Sequence, residues 1–587
     1  MCQLDGMALP RGPRLLNEGE LGFRVGMSWI WLDLMAKQEN GARIPKRQVR
    51  FSQARLPGLA WAVSLLGVAA CGANDDIPEI DYVCGTAPEP AGGPACGADD
   101  PNLPPEPQFP TDVCQTLTAT RPGPFERDDG TDLDTGRIQA AVLACKGRAV
   151  KLVSDGANNA FVAAHVQLDS VTLWIDKGTT LYGSRNPALY QKTGNCGSIG
   201  ISDSGACTDF LTLSGTSPGI VGDGVIDGQG GEPLIGKDYS WWQASYALRK
   251  IDGSIGNPTM INTATSTTGV LLYRITLHNS AKFHVKLTSY PADGVCSSPG
   301  KGFIVWGITI LTPSRWTNSK GEVLTPSFAR NTDGVDPGEG SVAQCGVIAC
   351  STISTGDDQI AIKGGHLVSD LIVAHNHFGT GHGMSIGSET FGHDNSRTNV
   401  TYRGVENVNV YDLTIDADSR PVGYEATASD FNGIRVKSDE SRGGQVNNIL
   451  YRDICMRDMT NAILVSTAYN PLFAGVLYPD FKKLEFHNIR HVTCMGVQRP
   501  VVTIEGFNAA RPVGPVTLDN VIVDNMGPLD VAAEFAKITL GPGDVNFMPG
   551  GQSVTVTDTR PRPVESTPRA CVFPKLPTPE VPPGWLR

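Results

Sequence analysis

The chain has 587 residues, 18% charged and 40% apolar, which is enough for a large packed core and ordinary for a folded protein. Its net charge is −12, and no basic stripe follows the N-terminal region, so nucleic acid is excluded as a partner. The same charge requires that any anionic substrate be captured by a local cationic site.

Six cations (Lys37, Arg43, Lys46, Arg47, Arg50 and Arg55) lead into the apolar run 59–70. That run is too short to span a bilayer and fits the core of a signal peptide. It ends Val68-Ala69-Ala70-Cys71, which resembles the lipobox of bacterial lipoproteins and makes Cys71 a lipidation candidate. The alternative is an ordinary signal peptide with a chance cysteine. So long a basic lead also points to Met35 as the true start. The expected location is outside the cytoplasm, as a bacterial cell-surface or outer-membrane lipoprotein tethered through Cys71, or otherwise secreted.

Past Cys71 the chain holds 12 cysteines, an even number that favours disulfides in an exported protein, with connectivity left open. Residues 71–114 are rich in Pro, Gly and Ala and read as a tether. A short helix is expected over 134–143, with Asp134 or Thr135 as its N-cap. Then come β-rich runs at 171–175, 211–213, 269–277, 302–311, 359–362, 371–373, 407–415, 448–454, 462–465, 501–504 and 516–523. Several end in an Asn or Asp turn, as in Phe486-His487-Asn488-Ile489. Strands recurring at this spacing favour an all-β, parallel β-helical solenoid over residues 115–550 rather than a sandwich of hairpins. Residues 551–587 read as a Pro-rich tail, tied back through Cys571.

Four short words fall inside the solenoid: Asn331-Thr332-Asp333-Gly334, Gly356-Asp357-Asp358, Gly381-His382-Gly383 and Arg435-Val436-Lys437. Asp333 to Asp357 and Asp358 to His382 each span 24 residues, and the 53 residues from His382 to Arg435 are close to two such steps. Alone, each word is an ordinary turn or a pair of solvated charges. A common coil period stacks them on one face. Arg435 and Lys437 are two apart, so on a strand they point the same way and form a receptor for a carboxylate. Asp357 and Asp358 can share a cleft only where the strand is broken, which Gly356 permits. With Asp333 one coil away, at least one carboxyl should be pushed up in pKa. Calcium is the rival use of three acidic groups, made less attractive by the neighbouring His382, Arg435 and Lys437.

This set resembles the signature of glycoside hydrolase family 28, the polygalacturonases. The glycine-rich stretch Gly222-Asp223-Gly224-Val225-Ile226-Asp227-Gly228-Gln229-Gly230 with Trp241-Trp242, and the helix ahead of Cys145, extend the resemblance over about 115–530. The resemblance implies a single-stranded right-handed parallel β-helix with a short N-terminal capping helix. It implies inverting hydrolysis of α-1,4 links in pectin or polygalacturonate. Separately, a monomer without cofactor or metal is expected. Asp357 is then the general acid, while Asp333 and Asp358 hold and deprotonate the attacking water. His382 tunes the acid, Arg435 and Lys437 grip a substrate carboxylate, and Tyr469 and Asn331 are further substrate-side candidates, Asn331 chiefly as a turn former. Fungal members often carry cysteines where this chain has Gln359 and Thr380, which points to a missing disulfide rather than to lost chemistry. Two other readings stand beside the hydrolase: a calcium-dependent β-helical pectate lyase and a non-catalytic polysaccharide-binding surface protein.

Overall fold

Short apolar runs separated by Asn, Asp and Gly turns close into coils when each run finds its partner one turn later. In the computed structural model they form a 20-stranded and an 11-stranded sheet, and the pairings within both run parallel. The fold is a right-handed parallel β-helix. The structure describes residues 84, 86–87, 96–123, 133–249, 253, 255–339, 341–390, 404–417, 431–470, 475, 477–494, 499–527, 529–561, 569–577 and 579. Cys71, Met35 and the rest of the expected leader lie outside the described residues.

The 11-stranded sheet shows why the pattern works. Its strands place Leu211, Ile261, Val285, Val335, Ile360, Met384, Ile434, Ile463 and Val502 in register, one above another. None is more than 1% exposed. Each such burial contributes roughly 1.5–3 kcal/mol. Side chains alternate along a strand, so the next position faces away from this column. Those outward places hold Asn262, Lys286, Asp336, Ala361, Ser385 and Arg435, and they form the floor of the functional face.

Coil corners depend on residues that tolerate a left-handed backbone. Asn407, Asn448, Asn488 and Asn520 all have φ between 53° and 58°, a region that Asn visits more readily than most residues. Their amides also link neighbouring coils: Asn448 donates to Asn407 at 2.8 Å and Asn520 to Asn488 at 3.0 Å. The runs expected at 269–277 and 302–311 each divide in two, at Arg274 (φ 60°) and Gly307 (φ 63°), because a coil must turn there.

The helix forms over Thr135–Ala144, but Asp134 does not cap it with its side chain. Its carboxylate instead accepts from the Val162 amide at 2.7 Å and pairs with Arg137 at 2.6 Å. A second helix, Trp241–Leu248, was not expected. Its signal was present in Ser240 and Gln243, which form a reciprocal capping box.

Both flanking segments are strapped to the solenoid. All 12 cysteines past Cys71 pair: Cys84–Cys494, Cys96–Cys350, Cys114–Cys145, Cys196–Cys207, Cys296–Cys345 and Cys455–Cys571. The described part of the expected tether is therefore held against the coils. Beyond residue 550, Thr555–Asp558 adds a further parallel strand, so the helix outruns the boundary drawn from proline content. His375 clamps the N-terminal segment, with Nδ1 on Asp412 at 2.6 Å and Nε2 on Asp100 at 2.9 Å. The hydrogen bond to Asp412 is the largest cause holding its pKa above the ordinary value, with Asp100 adding to it against partial burial. A raised histidine stabilises fully below its unfolded pKa of about 6.5, and that contribution is lost as pH rises through the folded value. The melting-temperature gap between the native chain and His375→Gln should therefore be wide near pH 5 and narrow near pH 9. A gap that does not change with pH would rule out the charged clamp.

Candidate active site

The coil turn between strands Thr352–Ser354 and Ile360–Ile362 carries Gly356, Asp357 and Asp358. The chain bends there as required. A side chain at Gly356 would run into the carbonyls of Pro326 and Ala329, so only glycine allows the turn to lie so close. The two adjacent carboxylates consequently go to different partners.

Asp358 points at the floor. Its Oδ1 accepts from Ser385 Oγ at 2.9 Å and pairs with Arg435, and its Oδ2 accepts from Lys437 Nζ at 3.0 Å. Arg435 and Lys437 share one face of strand Asn432–Lys437, as the two-residue spacing predicts. Burial opposes ionisation of Asp358, but Arg435 and Lys437 prevail and hold its carboxyl below the ordinary range. This alters the expected role of the pair, because both cations are engaged by Asp358 in addition to any substrate group.

Asp357 faces the cleft, with a side chain 19% exposed against 3% for both Asp333 and Asp358. His382 Nδ1 donates to its Oδ1 at 2.9 Å, and the Asn331 amide donates to its Oδ2 at 3.1 Å. Asn331 has φ 55°, so it shapes the turn with its backbone. Burial again opposes ionisation, but the charge and hydrogen bond of His382, helped by Lys437 and Arg435, hold Asp357 well below the ordinary range.

The raised carboxyl is Asp333. Burial first, then the neighbouring Asp336 and Asp357, push it well above the usual value. Its backbone is fixed from below by His284, whose Nδ1 donates to the carbonyls of Thr332 at 3.2 Å and Asp333 at 3.1 Å. Burial lowers His284 to about 4, so it serves as a neutral donor. Tyr469 sits at the edge of the floor, 39% exposed, with Lys437 Nζ 5.4 Å from its ring centre.

The six titratable residues of the four words, Asp333, Asp357, Asp358, His382, Arg435 and Lys437, come to one face with Asn331 and Tyr469. One step was misread: the 53 residues from His382 to Arg435 make a single coil, since Ser385 pairs directly with Arg435. That coil contains the long strand Val405–Asp416 and further residues on either side of it. Gln359 donates to Gly379 O at 2.7 Å and accepts from the Gly383 amide, which ties the acidic turn to the Gly-His-Gly word.

Several participants were missed. Ser385, Asp336 and Lys363 lie on outward positions of strands or strand ends that the words flank, and strict alternation from Val335 and from Ile360 would have found the last two. Glu389 bonds Lys363 at 3.3 Å and is reachable only through the fold. Donor atoms of Asp357, Asp358 and His382 converge within 4.8 Å, a spacing a cation could span. Here Arg435 and Lys437 already supply positive charge to Asp358. Beside this centre, on earlier coils, a cavity of about 390 Å³ is lined by Tyr182, Asp227, Trp242, His278 and Arg315.

The sequence profile of glycosyl hydrolases family 28 matches residues 202–539. A polygalacturonase of Ralstonia nicotianae is 36% identical over 485 residues, covering 76% of this chain and 84% of that protein. An endo-polygalacturonase of Pectobacterium carotovorum subsp. carotovorum is 36% identical over 396 residues, covering 66% and 83%. Among solved structures, a polygalacturonase from Erwinia carotovora ssp. carotovora superposes with a TM-score of 0.54 at 29% identity, covering 79% of this chain and 99% of that one.

Proposed function

The chain belongs to glycosyl hydrolases family 28, and from that premise we propose that it cleaves α-1,4 links between galacturonate units of pectin or polygalacturonate with inversion. The observation that carries this reading is the cluster itself, in which three carboxylates from adjacent coils meet one imidazole and two cations.

Asp357 is the general acid, because it is the carboxylate presented to the cleft. It shares one proton with His382, which the imidazole holds in the free protein. A bound uronate adds negative charge and displaces water, and both effects raise the proton affinity of the carboxyl. The proton then passes through Asp357 to the glycosidic oxygen as the C–O bond breaks. Asp333 and the second lone pair of Asp358 Oδ2 hold the attacking water, and Asp333 takes its proton. Asp358 is a poor nucleophile, since both its oxygens are committed to Ser385, Arg435 and Lys437. Lys437 uses one N–H on Asp358 and retains others for a substrate carboxylate beside Tyr469.

Incubation with polygalacturonate should release reducing ends without the ultraviolet absorbance of an unsaturated product, and without dependence on calcium. Appearance of that absorbance, or loss of activity in chelator, would instead mark a lyase.

The chain acts outside the cytoplasm as a monomer, anchored through lipidated Cys71. Six disulfides fit an oxidising compartment. Labelled palmitate should enter the native chain in bacterial cells and not Cys71→Ala. Equal labelling of both would remove the anchor.

A further inference from the structure

Asp336 has no role in the mechanism above, yet it is 0% exposed and three residues from Asp333. Neither of its carboxylate oxygens has a hydrogen-bond partner, and neither does Oδ1 of Asp333. Buried polar atoms without partners are rare and call for a reason. Asp336 lies on the outward face of strand Val335–Pro337, so period-two alternation aims it at the floor beneath the reacting groups.

Lys363 lies close by, 7% exposed at the end of strand Ile360–Ile362. Its Nζ is 3.9 Å from Asp333 Oδ2 and 3.3 Å from Glu389 Oε2. Glu389 is held in turn by Arg442 at 3.0 Å, and Arg442 by Asp439 at 2.6 Å. A chain of alternating charge thus runs from buried Asp439 through the partly exposed Arg442 and Glu389 to Lys363, whose ammonium faces Asp333.

We propose that Asp336 and Lys363 are positioning residues for Asp333: a carboxylate and an ammonium that flank it and set, in opposite senses, how readily it yields its proton. The proposal rests on the reading of Asp333 as the base that must be ionised to accept a proton from water. Burial pushes Asp336 up as well, so the two buried carboxyls compete for ionisation: a charge on Asp336 favours the protonated form of Asp333, and Lys363 favours the ionised form. The other charged groups facing the pair are Asp357 and Asp358 from the next turn, Glu339 from the loop after the strand, and Lys282 and Lys286 from the preceding coil. Burial together with Asp336 outweighs Lys363, and Asp333 stays protonated well above the usual carboxylate range. The acid limb of the pH–rate profile is therefore the titration of Asp333 under the control of these two neighbours.

The test is the pH dependence of kcat in Asp336→Asn, Lys363→Met and Lys363→Arg, each profile scaled to its own plateau. The acid limb should move to lower pH in Asp336→Asn and to higher pH in Lys363→Met, each by about one unit or more. Lys363→Arg should keep the native position. Limbs that stay put, or move the same way in both variants, would overturn the proposal, whatever the plateau rates. A folding defect alone lowers the plateau without moving the limb. If the native chain does not hydrolyse polygalacturonate, the hydrolase reading falls separately. The same shifts are then read from the infrared titration of the carboxyl band that Asp333→Asn removes.

Discussion

Asp357→Asn is expected to lower kcat by about two to four orders of magnitude while leaving the melting temperature near that of the native chain. The expectation follows from its position. Asp357 is the only one of the three carboxylates with substantial exposure to the cleft, and its contacts are His382 and backbone amides rather than the buried cations. An amide of the same shape still accepts from the Asn331 amide through its oxygen, while its NH2 can donate to a neutral His382 ring, so the turn persists. It cannot deliver a proton to the leaving oxygen. Because Asp357 acts on the breaking bond, KM should change far less than kcat. A variant that retains turnover within a few-fold of native would remove Asp357 from the role of acid.

The neighbouring substitution should behave differently. Asp358→Asn removes the anion shared by Arg435 and Lys437, which are both buried. Breaking a buried pair from one side typically costs about 3–5 kcal/mol, because the remaining charge is left uncompensated. Two cations lose their partner here. Urea unfolding should register a loss of about that size, together with a fall in activity to near background. A variant as stable as the native chain would mean that Arg435 and Lys437 find other partners, and the floor would not depend on Asp358. Adjacent residues in one turn should thus both lose activity but differ in stability, Asp357→Asn staying near native and Asp358→Asn weakened.

The coil architecture and the six charged residues of the site were legible in the sequence because the first three words keep a 24-residue period and Arg435 and Lys437 keep the two-residue period of a strand. Inward Val335, Ile360 and Met384 repeat with the coil, and the functional words ride on the same turns. Turn residues were legible for a chemical reason, since Asn488 occupies a left-handed corner that most side chains avoid. Reading failed where distance along the chain stopped tracking distance in space. The single long coil between His382 and Arg435 looked like two, because its 53 residues are about twice the 24-residue step although Ser385 pairs directly with Arg435. Lys363 pairs with Glu389 and Asp333, contacts that no local pattern encodes. Crowding of carboxylates did imply one raised pKa, but sequence could not say which. Asp357 is held down by His382, and burial beside Asp336 raises Asp333 instead.

Stereochemistry separates the proposed mechanism from its nearest competitor. One carboxylate oxygen of Asp357 and one of Asp358 lie within 4.8 Å of one another, closer than the roughly 6.5–9.5 Å that usually separates the two carboxyls of inverting glycosidases. Spacing alone would favour a carboxylate nucleophile and retention. The bonding of Asp358 argues against that outcome, because Ser385, Arg435 and Lys437 occupy both its oxygens, while Asp333 Oδ1 is left as an acceptor for water. The direct test is the anomeric configuration of the first product formed from polygalacturonate, followed by proton NMR before mutarotation. The β-anomer at the new reducing end is the predicted result. An initial α-anomer would mean a covalent intermediate on a carboxylate and would contradict the account.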